Sequence, residues 1–307
     1  MSILLPILLN VIFPVFALMG AGIFFHRIFH FDLHTLSKIT MYYLLPTVGF
    51  VNIYESEIDG KVFLEVIGFQ LLLSLTLMVM SAGFAKMMKL DKGMTANFKN
   101  SIVLLNAGNY GIPVSQLVFQ ANPLGMTIQI IVMIIQNFIT NTYGLLNSVS
   151  VHNKGSKALY EFLKMPMLYA LILGLVFQTF QIKIPLFLWN PIEKVADAFL
   201  AVALLALGAQ VAYIKLRKFD LALLMSCVGR LVLSPMIALV LIYLLGLEGT
   251  TAKALFIASS FPASRNSAQL ALEYNNYPEH AGQTVLVTTL LSAVTVTFVV
   301  YLAGVLF

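Results

Sequence analysis

Long apolar stretches alternate with short polar connections along the whole chain, and two of the stretches are interrupted at matching places. Runs of about 20 apolar residues, the length that crosses a bilayer as a helix, lie near 3–25, 39–54, 62–85, 101–119 and 124–147. A polar gap at 148–161 follows, carrying His152, Gly155 and two lysines, and five more runs lie near 162–181, 195–214, 221–245, 251–271 and 283–307. The pattern predicts an all-α polytopic membrane protein of about ten transmembrane helices. Residues 1–150 would form a first five-helix repeat, 151–161 a cytoplasmic linker, and 162–307 a second five-helix repeat.

The first interruption is Leu104 to Gln116, LLNAGNYGIPVSQ, where two glycines, two asparagines and a proline oppose a regular helix. The second is Ser259 to Gln269, SSFPASRNSAQ. Broken hydrophobic segments at corresponding places in two halves point to a transporter site near the membrane midplane. Gln116-Leu117 follows the first break and Gln269-Leu270 the second, an offset of 153 residues, about half the chain.

Composition narrows the class. The chain has 307 residues, 60% hydrophobic and only 10% charged, where a soluble domain carries roughly 25% charged residues. The first charged side chain is Arg27, so the opening run lacks the basic flank of a cleaved signal and is expected to remain as a span. The lone Cys227 permits no internal disulfide, and no GxxxxGK[ST], HExxH or CxxC string occurs. The net charge of +5 is informative through its placement. With the N-terminus outside, twelve Lys and Arg fall in cytoplasmic connections (Arg27, Lys38, Lys86, Lys89, Lys92, Lys99, Lys154, Lys157, Lys164, Lys215, Arg217, Lys218). Four fall outside: Lys61, Lys183, Lys194 and Lys253. That asymmetry puts both termini outside. Five spans per half is an odd number, so the second half must insert the other way up.

An unwound backbone inside a bilayer must be buried in protein or face a watery cavity. Each break ends one half-helix and begins another, whose free N–H groups and dipole favour an anion. Opposite insertion makes the two positive ends converge. Arg265, within the second break, costs roughly 3 kcal/mol at membrane depth unless it gains a partner, and a carboxylate substrate would be one. Against this stands the plainer reading that prolines and glycines only kink membrane helices, that Asn106 and Asn109 cross-bond neighbours, and that Arg265 pairs with Glu273 or reaches a headgroup. The conjunction of two breaks half a chain apart favours the site.

Other polar residues say less. Asn52, Gln136, Asn137, Asn141 and Gln210 fit either a cavity lining or interhelical contacts. Arg230, about ten residues into its span and five before Pro235, reads as structural and near the inner interface. Asp197 and Glu65 read as interfacial, with a proton or sodium site as the alternative. His26, His30 and His34 follow helical i, i+4, i+8 spacing, but in a short basic loop they read as a solvated face, not a metal site.

The segments N-A-G-N-Y-G-I-P at 106–113 and F-P-A-S-R-N-S-A-Q-L-A at 261–271 resemble the auxin efflux carrier family of bacterial permeases and plant PIN-type carriers. The ten-span layout extends the likeness over essentially the whole length. The resemblance implies the fold of the bile-acid/sodium symporters, with a panel domain and a core domain containing crossed broken helices. It also implies organic anions such as malate, malonate or indole-3-acetate as substrates. Asn109, Gly111 and Pro113 match the first crossover, and Pro262 with the residues after it matches the second. The long cytoplasmic loop of many plant members is absent, as in a compact prokaryotic permease of the cytoplasmic (inner) membrane.

The reading is therefore a secondary transporter of small organic carboxylates working by alternating access. The expected substrate contacts are Asn106, Asn109, Gly111, Pro113 with the N–H groups after it, Ser260, Pro262, Ser264, Arg265, Asn266 and Asn137. Catalytic residues, metal and cofactor are not expected, nor is a nucleic-acid partner. The lipid bilayer is, with coupling to H+ or Na+ and a homodimer both open. The rival readings are a carboxylate-binding membrane receptor or scaffold without turnover, a membrane-embedded enzyme, and a passive channel.

Overall fold

The computed structural model describes residues 4–55, 60–120, 122–149, 166–213 and 219–307. Over these the chain is helical, as a backbone in lipid requires. The first half contains α1 (Leu5–Phe29), α2 (33–55), α3 (Gly60–Met87), α4 (Lys92–Val103), α5 (107–118) and α6 (Pro123–Val149). The second contains α7 (Pro166–Thr179), α8 (Leu186–Val211), α9 (Leu221–Leu245), α10 (Gly249–Ser259), α11 (Arg265–Glu273) and α12 (Pro278–Leu306). Five of these, α1, α3, α6, α9 and α12, are by themselves long and apolar enough to cross a membrane. The expected linker at 151–161 lies outside the described residues.

Local chemistry fixes the ends. Asp32, Asp91 and Asp220 accept from the backbone N–H groups of His34, Met94 and Leu223 at 3.0, 2.9 and 2.7 Å. Three helices thereby gain an N-cap acceptor. His30 adopts a left-handed φ of 50° and ends α1, and Gly246, at φ 62°, ends α9.

Two groups of helices follow from the packing. In one, α1 lies along α8 and α2 along α7, with α2 also against α8. In the other, α3 packs on α4, α6 and α9, α6 on α10, and α12 on α10 and α11. The α1–α8 seam is made by glycines. A Cβ on Gly22 would come within 2.1 Å of the Leu205 carbonyl oxygen, and one on Gly208 within 1.9 Å of the Met19 carbonyl oxygen. The backbones therefore approach without an intervening side chain.

The structure corrects several boundaries. Helix α8 begins at Leu186, nine residues before the expected 195, because Asn190, Pro191, Glu193 and Lys194 dilute an apolar window without ending a helix. The unwound stretches are also shorter: 104–106 in the first break and 260–264 in the second. Asn266 to Gln269, and Arg265 itself, belong to a helix. The histidines do not share a helix face, because α1 ends at His30 and α2 starts at Leu33. His26 is buried, with its ring 5.3 Å from that of Tyr213.

Gly208→Val forces apart two backbones in contact, an overpacking of at least about 1–3 kcal/mol. Its monodisperse yield and melting temperature in detergent should fall well below those of Gly20→Ala, whose added methyl meets nothing within 4 Å. The Asp91 carboxyl is held below the usual carboxylate range by the Met94 N–H, then by the Tyr277 hydroxyl at 2.7 Å. A depressed folded pKa gives stability that is present above the unfolded value near 4 and lost as pH falls through the folded one. Acid titration of the melting temperature should therefore show a shallower fall for Asp91→Ala than for the wild type.

Candidate functional site

The two unwound stretches meet. Leu105 and Ala263 form an antiparallel bridge in which Ser264 N donates to Leu104 O at 2.7 Å and Asn106 N to Pro262 O at 2.9 Å. Each break thus satisfies part of the other, as buried backbone away from water must be. Side chains from α6 and α12 complete the set. Gln136 Oε1 accepts from Leu105 N at 3.4 Å, and Gln129 Nε2 donates to Ala107 O at 2.8 Å. Thr288 Oγ1 accepts from Ala263 N at 3.2 Å. The rings of Tyr110 and Phe261 meet edge-on at 5.8 Å, and Ser292 Oγ bonds the Tyr110 hydroxyl at 2.9 Å.

The two breaks differ in length. Leu105 and Ala263 are 158 positions apart, whereas Gln116 and Gln269 are 153 apart. The difference of five residues equals the π-helical turn Ala107–Gly111 that opens α5 and has no counterpart before α11. This moves the new helix start. The first half-helix begins at Ala107, and the amides of Gly108, Asn109 and Tyr110 precede its first hydrogen bond, Gly111 N to Asn106 O at 2.9 Å. Pro113 lies inside that helix, so the N–H groups after it are not the free amino-terminal ones. In the second half-helix Ser264 is the N-cap, its Oγ accepting from Asn266 N at 3.2 Å.

The expected site residues separate accordingly. Asn106, Pro262 and Ser264 are in the crossing, with Arg265 and Asn266 opening α11 beside it. Asn106 is 4% exposed and its Nδ2 has no hydrogen-bond partner among the described residues. Asn109 is half-buried in the π turn. Gly111 is there for packing: a Cβ would sit 2.6 Å from Gln129 Nε2 and 2.8 Å from the Phe261 ring. Ser260, just past the end of α10, donates its hydroxyl to Ile257 O of that helix at 2.6 Å. Asn137 follows Gln136 on α6, and its carbonyl accepts from Asn141 Nδ2 at 2.9 Å. Asn52 likewise bonds its own helix, to Val48 O.

Both arginines are held by hydrogen bonds to other helices. Arg265 Nη1 donates to Ser37 Oγ at 3.1 Å and makes no ion pair with Glu273 among the described residues. Ser37 also receives Gln210 Nε2 at 3.4 Å, so one hydroxyl on α2 gathers α8 and α11. Arg230, read as structural from the sequence, is 0% exposed. Its Nη1 donates to Ile102 O at 2.7 Å and its Nη2 to Ser259 O at 2.5 Å and to Ser234 Oγ. Those two carbonyls lie in the last turns of α4 and α10. A helix carboxyl end carries about half a negative charge, so two ends and one guanidinium balance. No described Asp or Glu is buried. The amino ends of α5 and α11, together with Arg265, therefore form a positive locus without a buried counter-ion among the described residues. Ser37 carries no signal in the sequence, as it sits in no motif, and nothing in the sequence names the partners of Arg230.

Two comparisons with known proteins bear on this arrangement. A family model described as "Membrane transport protein" matches residues 147–300, half of the chain. An "Uncharacterized transporter" of Methanothermobacter thermautotrophicus is 23% identical over 303 residues, covering 96% of this chain and 94% of its own length.

Losing the acceptor for Ala263 N leaves a buried donor unpaired, at about 1–3 kcal/mol. Thr288→Val should accordingly lower the melting temperature of the purified protein, and Thr288→Ser should restore most of it.

Proposed function

Because this chain belongs to the membrane transport protein family, the auxin efflux carriers its two motifs resemble, we propose that it carries small organic anions by alternating access. The observation that carries the reading is the positive locus at the crossing. Two amino-terminal helix ends contribute about half a charge each, and Arg265 adds a formal charge. Asn106 Nδ2 stands there as a buried donor without a partner among the described residues. A carboxylate is the ligand class that satisfies all three. It would contact the 108–110 amides and Asn109 from one side, and Arg265 and Asn266 from the other.

A route from binding to movement runs through Ser37. Its hydroxyl is the acceptor of Arg265 Nη1, and a carboxylate is a better one, since charge-assisted hydrogen bonds are roughly twice as strong as neutral ones. A substrate that takes Arg265 from Ser37 removes a polar contact between the group of α1, α2, α7 and α8 and the group that holds the crossing. The second group would then shift as a unit. In this reading residues 1–150 and 162–307 are the two inverted repeats, joined by 151–161 at the cytoplasmic side, with both termini outside.

Uptake of labelled malate, malonate and indole-3-acetate into proteoliposomes tests the proposal. The wild type should accumulate at least one of them. Arg265→Ala and Asn109→Ala should lose roughly tenfold or more, as expected where a charged contact worth about 1.5–3 kcal/mol is removed. Full uptake by both variants overturns the site assignment, and saturable binding without flux would replace the carrier with a receptor.

A further inference from the structure

The largest fully buried side chain among the described residues is a cation, Arg230, and no carboxylate accompanies it. An isolated charge at such depth is expensive, so its partners define its role. Both terminal nitrogens are committed, to Ile102 O and Ser259 O, with Ser234 Oγ bonding both Arg230 and Ser259 O, the latter at 2.8 Å. A group waiting for an anionic substrate would hold those nitrogens free, as Arg265 largely does. Arg230 is therefore occupied by the protein itself.

What it occupies is a cation site. Oppositely inserted broken segments bring together their two amino-terminal ends, and equally the two carboxyl-terminal ends of α4 and α10. Carbonyl oxygens of converging helix ends are ligands for a hard cation such as Na+. The inverted layout creates this place, yet only one half supplies the charge: α3 contains no Lys or Arg between Lys61 and Lys86, while α9 carries Arg230.

We propose that Arg230 is a built-in counter-cation for the crossing. Its guanidinium ties together the carboxyl ends of α4 and α10 and fills the position that a dissolved monovalent cation would otherwise take. It is a positioning residue: it holds both half-helices in register, and so holds Asn106 and Ser264 in place, without touching substrate. The crossing then assembles without Na+.

The test needs no knowledge of the substrate. Purified wild type, Arg230→Lys and Arg230→Ala are melted in detergent in NaCl, in choline chloride at equal ionic strength, and in choline chloride with millimolar guanidinium. The wild type should melt at the same temperature in Na+ and choline. Arg230→Ala should melt several degrees lower and regain part of the loss with guanidinium, and Arg230→Lys should fall between. A wild type stabilised by Na+ over choline overturns the proposal, and this arm holds even if Arg230→Ala does not fold. A folded Arg230→Ala that melts like the wild type, or that ignores guanidinium, also overturns it. Where malate exchange is measurable, wild-type exchange should be unchanged when choline replaces Na+ on both sides. Absence of exchange by the wild type would bear on the substrate class alone.

Discussion

The crossing depends on two hydrogen bonds, Ser264 N to Leu104 O and Asn106 N to Pro262 O. A membrane interior offers no water to an opened backbone, so a break in one helix has to be matched by donors and acceptors held elsewhere. Here the two breaks hold each other, and Gln129, Gln136 and Thr288 take the groups the bridge leaves over. Neither break would be tolerable without the other. That mutual dependence explains why α6 and α12, the helices flanking the crossing, carry polar side chains on otherwise apolar stretches.

Charge is then distributed by the same geometry. The crossing joins the carboxyl ends of α4 and α10 through Arg230, and the residues leading into α5 and α11 through the bridge, as a negative pair and a positive pair of helix ends. The negative pair is closed by Arg230 and is sealed from solvent. The positive pair is left with Asn106, Asn266 and a half-buried Arg265 whose described hydrogen bond goes to a serine of the other helix group. One pole of the crossing is thus closed by a buried side chain of the protein, whereas the other has no buried counter-ion among the described residues.

Much of this was legible in the primary structure. The ten segments follow from hydropathy, and the two breaks from Gly, Asn and Pro set in apolar runs. Their contact follows from the requirement that opposed breaks be satisfied. Other features are less legible. Arg230 in an apolar window reads as structural, but its partners are set by neighbouring helices that periodicity does not place. Ser37 is an ordinary serine until α8 and α11 converge on it. Proline favours the start of a helix, which puts the free N–H groups after Pro113, but the π turn Ala107–Gly111 starts the helix earlier and carries Pro113 inside. The length of α8 was hidden by charged residues that its exposed first turns accommodate.

The five-residue π turn in the first break, absent from the second, has a thermodynamic corollary. The two breaks are therefore not energetically equivalent. A substitution at the start of α5 meets a π turn and its wider backbone spacing, and one at the start of α11 meets a regular helix capped by Ser264. Equal changes on the two sides need not cost the same.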